Sequence, residues 1–98
     1  MKIQLSTGDT VHLADVYTHK VEKAYNRALL KDGVDGIAVN MLDAYDAALS
    51  QLITRIESKG GDVPYSTEWI DGLTKQDFGK LKEAVDKLAE DVAPKKNP

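Results

Sequence analysis

Two histidines, His12 and His19, are the side chains of this chain best suited to proton transfer or metal binding. Neither has a second histidine or an acidic residue at H-x-x-x-H or H-E-x-x-H spacing, so both read as solvated side chains. Asp43 and Asp46 lie three apart. Paired carboxylates do acid–base work only in a pocket that drives their pKa values apart, and a solvated helix face is the simpler reading. Asp32-Gly33-Val34-Asp35-Gly36 has the look of a calcium loop. Val34 interrupts the oxygen donors, and the twelfth position is Asp43 rather than a glutamate, so it reads as a turn. Gly60-Gly61-Asp62 lacks the lysine or serine of a phosphate cradle and reads as a helix C-cap. The chain has no cysteine, which removes disulfides, thiolate metal sites and a thiol nucleophile. No catalytic residue, metal site or cofactor is expected.

The elements that would position these groups belong to one small domain. At 98 residues there is room for a single thin core, and help from self-association would fit. The net charge of −3 comes from acidic and basic residues mixed along the chain. No basic cluster larger than Lys95-Lys96 stands out, so nucleic acid is not an expected partner. No apolar run has the length of a signal peptide or of a membrane span, and the expectation is a soluble intracellular domain without membrane contact.

Ile3 and Leu5 alternate with polar residues, Val11 and Leu13 repeat the pattern, and Ser6-Thr7-Gly8-Asp9 lies between as a turn. This spacing predicts a β-hairpin with one apolar face. Val21, Ala24, Tyr25, Ala28 and Leu29 recur at helical spacing and predict a helix from Asp15 or Thr18 to Lys31. The strongest expected helix runs from Ile37 or Asn40 to Ser58, with Met41, Leu42, Tyr45, Leu49, Leu52, Ile53 and Ile56 as its apolar stripe and Gly60-Gly61 as its stop. A linker at 62–65, a short helix at Thr67–Gly72 and a last helix from Thr74 to Val92, ended by Pro94, complete the reading. The expected fold is mostly α, with a minor β part: a short N-terminal hairpin on a three- to four-helix domain over residues 1–93, then a disordered tail at 94–98.

Trp69 and Phe78 are the single tryptophan and phenylalanine of the chain. With Ile70 and Leu73 they form a natural cluster, and a core role for Trp69 outweighs that of a partner anchor. Asp77 stands where a capping box beginning at Thr74 would have Glu or Gln. Tyr17, Lys20 and Arg27 on the first helix, and the 59–65 loop with Tyr65, are expected to be exposed enough to bind a partner.

The hairpin around T-G-D-T-V-H-L and the later stretch E-W-I-D-G-L-T-K-Q-D-F-G-K-L-K-E-A-V together resemble the tail assembly chaperones of long-tailed (siphovirus-type) bacteriophages. Trp69, Leu73, Asp77, Phe78, Leu81, Ala84 and Val85 carry the likeness. The resemblance implies a non-catalytic late protein of the host cell cytoplasm, absent from the mature virion. It would bind the tape measure protein, and as a further candidate the tail tube protein, keeping the former soluble during tail assembly. It also raises a frameshift at Lys95-Lys96, which AAG codons at both lysines would remove. The alternative is a small structural phage protein, a head–tail connector or baseplate component retained in the virion. An unrelated interaction or regulatory module comes third and an enzyme last.

Overall fold

Among the described residues, four strands rather than two form the β part. The computed structural model describes residues 1–92; the expected helix stop at Pro94 and the expected tail at 94–98 lie outside them. In chain order the elements are β1 (Lys2–Gln4), β2 (Thr10–Leu13), α1 (His19–Leu29), a 3-10 turn (Val34–Gly36), α2 (Ile37–Leu52), β3 (Ile53–Ser58), β4 (Gly61–Val63), α3 (Thr67–Asp71) and α4 (Lys75–Val92). The strands pair antiparallel in the order β1-β2-β3-β4. The fold is therefore α+β, and the mostly α expectation is corrected.

The correction turns on residues 53–58, expected as the last turns of the long helix. Helix α2 stops at Leu52, and Ile53 is already extended at ψ 119°. Ile53, Thr54 and Ile56 are β-branched and suit a pleated surface. Opposite them the register shifts between His12 and Leu13: His12 pairs with Arg55 but Leu13 pairs with Ile53. Thr54 is thus an extra residue on β3, a bulge, and its hydroxyl donates to the His12 carbonyl at 3.2 Å. The bulge brings Ile53 and Ile56, three apart, to the same face of the sheet. A spacing of three is also what a helix would need. Gly60-Gly61 does not cap a helix. Ser58 pairs with Gly61 across a tight turn, and Gly61 takes φ 119°, a backbone state that side chains disfavour.

Ile3, Val11, Ile56 and Val63 pair in a row across the four strands. Val11 and Ile56 are fully buried beneath the helices. Lys2, His12 and Arg55 form the neighbouring row on the open face, which is polar: Arg55 pairs with Asp62 at 3.0 Å, and His12 contacts Glu57. The core is completed by Leu5, Leu13, Tyr17, Val21, Tyr45, Leu49, Leu52, Ile70, Leu81, Val85 and Leu88. Helices α1 and α2 form an antiparallel hairpin in which the Tyr25 and Tyr45 rings meet edge to face at 5.6 Å. The Tyr45 hydroxyl donates to Asp86 at 2.6 Å, tying α2 to α4.

Candidate functional site

The buried stripe of α2 is Asn40, Ala44, Tyr45, Ala48, Leu49 and Leu52. Met41 and Leu42, expected in the core, are exposed, although Tyr45, Leu49 and Leu52 of the same expected stripe are buried: the first turns of α2 bury Asn40 and Ala44 and leave Met41 and Leu42 open to solvent. The turn before α2 fixes how the helix begins. Asn40 donates to the Asp32 carboxylate at 2.9 Å, and a Cβ on Gly36 would sit 2.7 Å from the Asp32 Cβ. Only glycine lets the chain fold this closely on itself, and Asn40 is then drawn inward.

The α1–α2 connection and the start of α2 also leave apolar side chains open to solvent. Of seven large hydrophobic side chains exposed among the described residues, five fall between 30 and 42: Leu30, Val34, Val39, Met41 and Leu42. Val39 is 82% exposed and Leu42 56%. Single exposed hydrophobics are ordinary, but five around one helix–helix connection make it the candidate contact region. Val39 and Leu42, one helical turn apart, share a face.

Leu42 also lines a groove of about 200 Å³ between α2 and the α3–α4 junction. Its apolar lining is Leu42, Ile70, Leu73 and Phe78, and its polar lining includes Asp46, Asp71 and Lys75. That volume is below the roughly 300–1,000 Å³ of small-molecule sites. It suits an inserted apolar side chain. Burial, and then the charges of Asp71 and Asp43, hold the Asp46 carboxyl above the ordinary aspartate range. Asp43 is paired with Lys31 at 2.9 Å, whereas Asp46 and Asp71 make no ion pair with another described residue.

The residues singled out from the sequence divide into three groups. Leu81 and Val85 are buried in the core. Asp77 is buried as well, and the expected capping box is half formed: Thr74 Oγ1 accepts the Asp77 N–H at 3.1 Å, but the carboxylate turns away to Ser6. Trp69, Leu73 and Phe78 are half-buried at the edge of the core. The Trp69 ring lies 6.2 Å from that of Tyr65, and its indole N–H donates to Asp9 at 3.3 Å. Leu73 and Phe78 line the groove, which unites two of the residues carrying the phage resemblance with Leu42.

The candidate partner residues fare differently. Tyr17 is only 9% exposed and belongs to the core, so it is corrected from a surface to a packing residue. It lies in a polar-looking stretch, but the segment from β2 into α1 passes over the core and turns the ring inward. Tyr65 is half-buried, its hydroxyl donating to the Asp46 carbonyl at 3.3 Å. Arg27 is exposed and lines a separate groove between α1 and α2, with Ala24, Ala28, Lys31 and Ala47. Lys20 and Lys23 continue that groove, so the helix hairpin gathers a basic face that the linear sequence had not suggested. The exposed apolar region was the feature missed. Its signal was Val39 and Leu42 at helical spacing beside Asp35, Asp43 and Asp46.

Among the described residues, no group of three or more His, Cys, Asp or Glu side chains converges to hold a metal. None of the described helices is long and apolar enough to cross a membrane. No family model, curated protein or solved structure matches this chain.

Proposed function

We propose that this chain is a non-catalytic tail assembly chaperone of a long-tailed phage. It binds the tape measure protein in the host cytoplasm and keeps it soluble until tail tube subunits assemble around it. The observation that carries the reading is the exposed apolar pair Val39 and Leu42 on one face of α2, with Leu42 lining the groove that Leu73 and Phe78 also line. A long helical client exposes apolar stripes at i, i+3 and i+4, and a helix laid on such a face would bury both. The small groove calls for contact rather than turnover, and no cofactor is required for it.

Two experiments test the reading. Co-expression with the longest helical protein encoded beside this chain should raise that protein's soluble fraction and co-purify the pair. Mass spectrometry of purified virions should find the tape measure protein without this chain. Its presence in the particle at stoichiometric level would instead mark a structural component.

A further inference from the structure

The groove beside Leu42 also specifies the charge of what it binds, an inference that rests on the chaperone reading of the same site. Asp46 and Asp71 line it, and neither is ion-paired among the described residues. Lys75 is the one cationic side chain in the lining. Asp35 stands exposed next to Val34 in the turn before α2. The carboxylates repel one another: Asp46 is burdened first by burial, then by Asp71 and Asp43. A cation brought in by a partner would relieve that repulsion at a partly desolvated site, where charge interactions exceed their value in open water. The surrounding backbone belongs to α2, α3 and the start of α4, whose interior amides are hydrogen-bonded within their helices, so no strand can be added here. What fits is a helix, its apolar side chains against Val39, Leu42, Leu73 and Phe78.

We propose that the segment this groove takes is an amphipathic helix whose apolar seam is flanked by lysine or arginine. An acidic helix would meet Asp46 and Asp71 and be rejected, which gives the site selectivity among apolar stripes of similar shape.

The test uses two synthetic helical peptides with the same leucine seam, one flanked by lysines and one by glutamates. Binding to the full chain is read by fluorescence anisotropy. The lysine peptide should bind at least about 10-fold more tightly at low salt, and that advantage should shrink several-fold at high salt as screening grows. The double variant Asp46→Asn/Asp71→Asn should remove the preference but keep the residual apolar affinity. Val39→Gln/Leu42→Gln should weaken both peptides together. Equal binding of the two peptides, or a preference that survives Asp46→Asn/Asp71→Asn, would overturn the proposal. So would salt-sensitive self-association abolished by Lys23→Glu/Arg27→Glu, which would make a second copy the occupant. Tape measure capture with no charge preference sinks this inference alone. A lysine preference without tape measure capture sinks the chaperone reading alone.

Discussion

Asp77, in the first turn of α4, accepts two hydrogen bonds from Ser6: the backbone N–H reaches Oδ1 at 3.0 Å and the hydroxyl reaches Oδ2 at 2.7 Å. Ser6 follows β1, an edge strand. Leu5 turns its N–H toward Asp9 on the β2 side, so the backbone groups of Gln4 and Ser6 point off the edge. Helix α4 takes up both: Lys80 donates to the Gln4 carbonyl at 3.2 Å, and Asp77 receives Ser6. A pair of residues on one helix thus covers part of the free edge of the sheet, a position that otherwise invites pairing with another chain.

Replacing Asp77 by alanine should remove the link between the sheet edge and α4. The melting temperature should fall by roughly 5–10 °C, since a buried acceptor with two charge-assisted bonds is lost. Asp77→Asn keeps the shape and one acceptor and should fall by less. Thermal unfolding followed by circular dichroism compares the three chains.

The same carboxyl makes the fold acid-sensitive. The Ser6 backbone and hydroxyl hold Asp77 below its ordinary value of 3.8. His12 does the same for Glu57, below 4.5. A carboxyl with a depressed folded pKa contributes stability that is fully present above its unfolded pKa and lost as pH falls through the folded one. The contribution of these two carboxyls to the denaturant midpoint should therefore be flat above about pH 5 and drop steadily below pH 4. In Asp77→Asn the drop should be shallower.

At high pH the tyrosines act in the opposite sense. Burial, and then the hydrogen bond to Asp86, push the Tyr45 phenol far above its ordinary value of 10. Burial also raises Tyr17 and Tyr65. The unfolded chain ionises these groups first, so their contribution is full below pH 10 and declines as pH rises from there. A phenolate absorbance titration should show Tyr17, Tyr45 and Tyr65 ionising late and together with unfolding. Tyr45→Phe should cost about 0.5–1.5 kcal/mol, because Asp86 is exposed and can rehydrate.

How far the fold could be read from the chain depends on where local pattern and long-range pairing agree. The alternation at Ile3, Leu5, Val11 and Leu13 corresponds to strands β1 and β2, and the Val21–Leu29 spacing to α1. At Ile53 and Ile56 they disagree: the bulge at Thr54 gives a strand the spacing of a helix, and only the partner strand reveals it. Asp77 reads locally as a cap, and nothing near it names Ser6, which depends on how α4 lies against β1. Leu42 and Met41 extend an apolar run by sequence, yet they lie on the first turns of α2, where the core does not cover them. Leu73 and Phe78 were legible as a cluster. Their convergence with Leu42 required the tertiary fold.

The exposed apolar pair should be dispensable for folding. Val39→Gln/Leu42→Gln replaces exposed side chains with good helix formers, and its stability should lie within about 0.5 kcal/mol of the parent. Leu49→Ala, in the fully buried part of the same helix, should cost about 2–5 kcal/mol. Urea midpoints of the two variants, compared directly, separate surface from core.

The most direct measurement is co-purification of the tape measure protein with this chain and with the stable Val39→Gln/Leu42→Gln variant. The account predicts that the parent chain brings the tape measure protein into the soluble fraction and that the variant, folded and expressed equally, loses most of that capture. Equal capture by both chains would place the contact elsewhere on the molecule. No capture by the parent would contradict the chaperone function itself.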